Sequence, residues 1–371
     1  MAKSRLALIA LLVVATSAAA YHRQTPPIVP ITDSGDTLLP RLPSPGRRLT
    51  VALPVNGQSG LQIFRQNRAD NFLEQLSTEG DNRNPTISGS GTVVAWDSDC
   101  GALVDCTDPG RQIFMWELGN IVQVTHDSTG TSINPEMNGQ GARIAFESHG
   151  DLDPGQNPTG ASQIFMRQHN GSIQQMSSGQ GTSRNVAISR SGRTLAYEST
   201  NGPNGTDTGV FQIWLSPAPG LSVQITHGQV ASLAPDVSQE GRVLVFQSTA
   251  ALTSDGHDTH IPQIFSYEIV PQRLRQVTND PQGCTGPSVN KLASDWRIGY
   301  VCHGQGFFFL LAASKQHQLP INSGDTVQSV AELGGHFMMV STTANLATGT
   351  GTTSGHQLYM LNLFKLLPGV P

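Results

Sequence analysis

Apolar residues in this chain fall in short runs of strand length, bounded by Gly, Pro, Asn or Asp, and the runs return at a fixed interval. The plainest copies are Gln112-Ile113-Phe114, Gln163-Ile164-Phe165, Gln212-Ile213-Trp214 and Gln263-Ile264-Phe265. Gln62-Ile63-Phe64 precedes them and Gln357-Leu358-Tyr359 closes the series. The spacings are 50, 51, 49, 51 and 94 residues, the last being two periods of 47. A fixed period of this length marks a repeat architecture.

The unit from Asn134 to Met176 reads as four strands. Asn134-Pro135 opens the first, since Pro is tolerated at a strand start. Asn138-Gly139-Gln140-Gly141 is a tight turn, and Ala142 to Phe146 form the second strand. Glu147 to Ser162 make a long loop rich in Gly, Asp, Asn and Pro. Gln163 to Arg167 form the third strand, His169-Asn170-Gly171 the hairpin turn, and Ser172 to Met176 the fourth strand. Four short antiparallel strands with three connections make one propeller blade.

The internal spacing recurs. Pro40 to Gly46, Pro85 to Gly91, Pro135 to Gly141, Val186 to Gly192 and Pro235 to Gly241 are each six apart. Trp96, Phe146, Tyr197 and Phe246 follow the last four glycines by five, and Ser98, Ser148, Ser199 and Ser248 follow those aromatics by two. Such aromatics belong between blades, where sheets pack at about 10 Å.

Two units are worn. In the sixth, Phe307-Phe308-Phe309 stands where the Gln-Ile-Phe core is expected and the long loop is lost. The seventh runs out after its third strand, at Gln357 to Asn362. Ile28 to Thr32 resembles the last strand of a repeat, since Val29-Pro30-Ile31-Thr32-Asp33-Ser34 matches Val122-Gln123-Val124-Thr125-His126-Asp127 in position. Pairing it with the last blade removes an open sheet edge. The expected fold is an all-β, seven-bladed propeller of four-stranded antiparallel blades, closed by this N-terminal strand. The blades are 38–78, 83–126, 134–178, 184–227, 234–279, 286–321, and 327–366 with 28–33. One domain spans 28–367.

At the N-terminus, Lys3 and Arg5 precede an apolar run from Leu6 to Ala15, and small residues continue to Ala20. This reads as a secretory signal peptide over 1–20, cut near Ala20, with 21–27 an extended leader. Leu6 to Ala20 falls short of the roughly 20 apolar residues that span a bilayer, and no later segment reaches that length. The expected location is the periplasm or the exterior of a bacterium. Charged residues make up 13% of the 371 and the net charge is −5, which argues against a nucleic-acid phosphate binder. The 39 Gly and 23 Pro fit a fold with many turns.

The series Asn-Pro, Ser-x-x-Gly, Ala-Phe-x-Ser, Gln-Ile-Phe and Val-Thr resembles the TolB-type propeller repeat. Ile144-Ala145-Phe146-Glu147-Ser148 and Gln123-Val124-Thr125 carry it most closely. Thr249-Ala250-Ala251-Leu252 and Thr343-Ala344-Asn345-Leu346 resemble a loop of its secreted bacterial relatives. The resemblance covers about residues 28 to 365 and is specific for the repeat. TolB carries an α/β domain ahead of six blades, and only seven residues separate the expected signal from the first strand here. The Pal-binding role of TolB is therefore not carried over.

Four cysteines in an exported chain imply disulfides. Cys100 and Cys106 share one long loop, six apart, and are expected to be bridged, which would pin that loop. Cys284 precedes the first strand of blade 6 and Cys302 ends its second, so these neighbours in an antiparallel pair are expected to be bridged. No Cys-x-x-Cys spacing suggests zinc or redox work.

The second-to-third loops and the connections between blades emerge on one face, and these are the long segments; the opposite face has tight turns. Loops on a rigid scaffold usually carry function. This face holds Asp97, Asp99, Asp105, Asp108, Asp151, Asp153, Asp207, Asp255 and Asp258. Such oxygen-rich loops could hold Ca²⁺ or another divalent metal, but no EF-hand pattern is present, and Asp beside Gly is an ordinary turn former. His126 and His227 follow Thr125 and Thr226 at equivalent corners. Some pectate-fragment lyases are TolB-like seven-bladed propellers with metal-binding histidines on this face, but a site needs three or four ligands. The nucleophile elbow and H-E-x-x-H are absent. The reading is a monomeric, non-enzymatic propeller without a cofactor that binds an envelope or extracellular protein or glycan through its long-loop face. The alternatives are a metal-assisted, oligogalacturonide-lyase-like enzyme and a structural cell-surface protein.

Overall fold

The computed structural model describes residues 28–30, 48–58, 60–67, 72–99, 106, 108–128, 130–218, 221–254, 260–292, 295–321, 325–334, 337–346 and 352–367. They form seven antiparallel sheets, the blades of a β-propeller. Blades 2 to 6 each hold four strands in chain order, spanning Asn82–Gln123, Ser132–Gln175, Ser183–Gln224, Ser232–Gln276 and Cys284–Gln318. Blade 1 shows three strands from Arg48 to Gln75. Its expected opening strand lies outside the described residues, as do the signal segment and the leader. In blade 7 the strand Ile28–Pro30 lies beside Thr352–Asn362, with Val29 opposite Met360, followed by Phe337–Ala344 and Val327–Gly334. The one described helix is a single turn, Leu363–Leu366.

The core is divided among the seams. Seven hydrophobic clusters each join two neighbouring blades, and one of them joins Leu49 and Val51 of blade 1 to Met339 and Met360 of blade 7. Within a blade the aromatic of the second strand stacks on that of the third. Trp96 lies 6.4 Å from Phe114, Phe146 lies 6.1 Å from Phe165, and Phe246 lies 5.7 Å from Phe265. All six are buried, as the repeat pattern predicts.

The invariant Gln of each strand core is a buried clasp. Gln112 Oε1 accepts from the Thr125 hydroxyl at 2.8 Å, and its Nε2 donates to the Asp127 carbonyl at 3.1 Å. Thr125 Oγ1 in turn accepts the Ile113 N–H at 2.9 Å. The same arrangement links Gln62 to Ser77, Gln163 to Ser177, Gln212 to Thr226 and Gln263 to Thr278. Each clasp ties the start of the third strand to the crossover that leads into the next blade. Backbone groups in that crossover would otherwise be buried without partners.

Blade 6 corrects the expected register. Cys302 pairs with Gln305, and Tyr300 with Phe307, just as Ser148 pairs with Gln163 and Phe146 with Phe165. The strand core is therefore Gln305-Gly306-Phe307, two residues before the Phe-Phe-Phe run. Gly306 replaces Ile because Leu319 fills its place: a Cβ there would lie 2.8 Å from Leu319 Cδ1. The long loop has shrunk to His303-Gly304, both at positive φ, 40° and 76°, as a two-residue hairpin requires.

The disulfide follows the same register. Ser132 bonds to Ser148 at 3.0 Å, Ser183 to Ser199 at 2.9 Å and Ser232 to Ser248 at 2.9 Å, each across the first two strands. In blade 6 that position holds Cys284 opposite Cys302, and the two are bonded, with Cα atoms 4.1 Å apart. Cys106 is also disulfide-bonded. Cys100 lies outside the described residues.

The tight-turn face is stitched together by backbone. Gly89 donates to the Gly139 carbonyl, Gly139 to Arg190 and Arg190 to Gln239, each at 2.9 Å and each between neighbouring blades. The turn glycine explains the fixed six-residue spacing. Gly241 has φ +68° and packs so closely that a Cβ would lie 2.5 Å from Thr194 Oγ1 of the preceding blade.

Candidate functional site

The first strand of every blade from 2 to 6 is interrupted by a register shift just after its opening pair. At the shift Asn84, Asn134, Asn185, Ala234 and Gly286 take φ between 51° and 62°. Asn tolerates this left-handed conformation better than most residues, and Gly does so without strain. The shift turns the backbone N–H towards the preceding blade, where an acidic or amide side chain receives it. Asn134 N–H donates to Asp97 at 3.1 Å, Asn185 to Glu147 at 2.9 Å, Ala234 to Glu198 at 2.6 Å and Gly286 to Gln247 at 2.9 Å. The side chains of Asn84, Asn134 and Asn185 donate to the acid of their own blade at 2.8, 3.0 and 2.8 Å. Together these groups form a polar arc where the long loops leave the second strands.

Asp97 is thus a correction to the loop reading. It lies in the second strand of blade 2, Val93–Ser98, and is fully buried. Burial pushes its carboxyl up, against the pull of Arg111, whose Nε lies 2.6 Å away. Glu147 and Glu198 are its equivalents. Their pattern was present in the sequence as an acid between an aromatic and a serine: Trp96-Asp97-Ser98, Phe146-Glu147-Ser148 and Tyr197-Glu198-Ser199.

Among the described residues, the other loop carboxylates are not brought to one point by the fold. Asp99 accepts the Asp81 N–H at 2.8 Å. Asp108 accepts Gln123 Nε2 at 2.6 Å and stands 3.2 Å from His126 Nδ1. Asp151 receives the N–H groups of Asn157, Gly155 and Gln156, which hold its carboxyl below the usual range. Asp153 accepts the Gln175 N–H at 3.0 Å. Asp207 accepts the Gly209 N–H at 2.9 Å, which also lowers its pKa. Asp151 and Asp207 thus shape local turns, while Asp99, Asp108 and Asp153 tie their loops to neighbouring segments. Asp105, Asp255 and Asp258 lie outside the described residues.

His126 and His227 are both exposed, at equivalent corners of blades 2 and 4. Among the described residues, the group of side chains close enough to share a metal is Asp280 with Cys284 and Cys302, their ligand atoms within 4.8 Å. The two sulfurs are joined to each other, so this trio has the ligand set of a metal site only in a reduced protein.

Two further carboxylates, Glu136 and Asp236, hold equivalent places on the first strands of blades 3 and 5. Asp236 accepts the Val289 N–H of blade 6 at 2.7 Å, as Thr86 of blade 2 accepts the Met137 N–H of blade 3 at 3.3 Å. Burial, opposed by the Val289 bond and assisted by the Glu136 charge, pushes the Asp236 carboxyl up to about 6. Sequence reasoning passed over both, because an acid in a strand beside Pro carries no motif.

At the seam of blades 3 and 4 the long-loop side is indented by a groove of about 520 Å³. Its wall includes Gln156, Gln175, Asn201, Asn204 and Trp214. The loop after the second strand of blade 4 stands up here as a hairpin, with Asn201 paired to Asp207.

No protein-family model and no curated protein matches the chain. Solved structures do. An oligogalacturonate lyase in complex with manganese is similar at 10% identity and a TM-score of 0.60, over 91% of this chain and 93% of that one. The β-propeller domain of the Trilobed protease from Pyrococcus furiosus is similar at 9% identity and a TM-score of 0.58, over 89% of this chain and 96% of that one. TolB from Acinetobacter baumannii is similar at 13% identity and a TM-score of 0.45, over 74% of this chain and 63% of that one, so this chain spans less than two thirds of it. At these identities the likeness is one of fold, a β-propeller.

Proposed function

We propose that the protein is an exported, non-enzymatic propeller that binds an envelope or extracellular protein or glycan through its long-loop face. The observation that carries this reading is the asymmetry of the two faces. One is stitched by backbone bonds between tight turns, from Gly89 to Gln239. The other carries loops of differing length above a framework of clasps repeated from blade to blade, the arrangement in which loops are free to recognise. Export rests on the apolar N-terminal run, the Cys284–Cys302 disulfide and the exported setting in which structural disulfides persist. Among the described residues no helix is long and apolar enough to cross a membrane.

The test begins with crosslinking in the envelope to obtain the partner. Charge changes on the loop face, at the exposed His126 and His227, are then expected to weaken binding without unfolding. Charge reversal at Arg193 and Arg242, exposed beside the tight turns, is expected to leave binding intact. Crosslinks confined to the tight-turn face would overturn the reading. Chelator-sensitive cleavage of acidic oligosaccharides would replace it with the metal-assisted enzyme.

A further inference from the structure

We propose that the groove between blades 3 and 4 is a binding site for a neutral oligosaccharide. This rests on the loop-face reading and narrows it to one ligand class at one place. The groove measures about 520 Å³, within the range of about 300–1,000 Å³ usual for small-molecule sites.

Its chemistry selects the ligand. The lining consists of amides, hydroxyls, glycines, one proline, Met176, Tyr197 and Trp214, with no Asp, Glu, Lys, Arg or His among them. An acidic sugar or a phosphate would lose hydration there with no cation to replace it, and a cationic ligand would find no anion. An uncharged polyol suits such a wall. Its hydroxyls both donate and accept, as amide side chains do, and its C–H faces pack on an aromatic ring.

Trp214 is what sets this seam apart. At its register position blades 2, 3 and 5 carry Phe114, Phe165 and Phe265, exposed by no more than 1%. Trp214 is only partly buried as a residue, while its Nε1 atom is itself buried and has no hydrogen-bond partner among the described residues. Gln175 Oε1 is likewise without one. Gln224 shares that property at the equivalent place, so the distinguishing signal is the indole. A Trp N–H usually finds a partner when buried. Both atoms are buried within residues that line the groove, so a ligand would meet the exposed part of the indole, and its N–H would report the contact.

The walls are already braced. Asp151 holds the Gly155, Gln156 and Asn157 N–H groups, which fixes Gln156 at the rim. Asp153 ties that loop to the Gln175 backbone. Asn201 is occupied by Gly181 and Ser199, so it builds the wall rather than reading the ligand. A site braced before binding loses less freedom on capture.

The test titrates the full mature chain with cello-, malto- and chito-oligosaccharides and with an oligogalacturonide, followed by calorimetry and by indole ¹H–¹⁵N resonances. At least one neutral oligosaccharide is expected to bind and to shift the Trp214 indole signal, while the acidic one does not. Trp214→Phe, which copies the residue of three other blades and so is expected to fold, should raise Kd at least tenfold. Gln156→Ala, at the exposed rim, should weaken binding severalfold with the melting temperature unchanged. Equal binding of the acidic oligosaccharide, unchanged affinity in Trp214→Phe, or silence from all neutral sugars would each overturn the proposal. A partner crosslinked to other loops of the same face, with silent sugars, would sink this inference alone and leave the loop-face reading standing.

Discussion

Cys284 and Cys302 face each other at the register position where Ser132 and Ser148 share a hydrogen bond in blade 3. The disulfide is therefore a covalent version of a bond that three other blades make with hydroxyls. It also falls in the blade whose long loop has shrunk to two residues.

The double variant Cys284→Ser/Cys302→Ser is expected to fold, because the serine pair suits this site elsewhere in the ring. The closed loop spans 18 residues, for which the chain-entropy model gives about 3 kcal/mol. Urea unfolding should show a loss of that order, reduced by any serine–serine bond regained. A variant that fails to fold at all would show the two positions are not equivalent.

Glu198 accepts from Asn185, Arg184 and the Ala234 N–H of the next blade. Glu198→Ala is expected to cost about 2–3 kcal/mol, since it leaves buried donors unmet. Glu198→Gln should cost about 1 kcal/mol, because Gln247 performs the same task towards Gly286. Chemical denaturation of the pair checks the order; equal losses would contradict the clasp.

Asp236 has a folded pKa of about 6, above its ordinary 3.8. Its contribution to stability is then fully present below pH 4 and lost as pH rises through 6, a change of about 1–3 kcal/mol. Asp236→Asn removes this titration, so the variant should gain on the wild type between pH 4 and 7. Denaturation midpoints at four pH values decide it. Parallel curves would mean that the carboxylate is better hydrated than its setting implies.

Removal of residues 27–33 takes away the strand Ile28–Pro30, which pairs with Thr352–Asn362. Its edge groups would then be exposed, and the shortened chain is expected to melt at a lower temperature and to aggregate more readily. An unchanged melting temperature would refute the role of this strand in holding the last blade.

The strand cores, the seams and the turn glycines were legible because they repeat, and a repeat amplifies a weak local signal. Trp96, Phe146 and Phe246 stack where their spacing put them. The Gln clasps were visible as letters but not as bonds, since a polar residue opening an apolar strand also reads as a surface position. Asp97 was misplaced because the loop boundary was set two residues early, since the strand runs to Ser98, and that shift changes its surroundings from water to a buried seam. The shift in blade 6 was hidden because three successive Phe offer several equivalent registers. The groove depends on how the hairpin after Asn201 stands against the neighbouring blade, and pairing of that kind leaves no periodic trace.

The long loops begin and end at fixed points: Ser148, bonded to Ser132, on one side and Gln163, clasped to Ser177, on the other. Between such stems the ring has accepted two residues in blade 6 and fourteen in blade 3. Loop-closure entropy grows only slowly with length. Foreign peptides could therefore be exchanged into these intervals one blade at a time, with the blades themselves insulated from the graft.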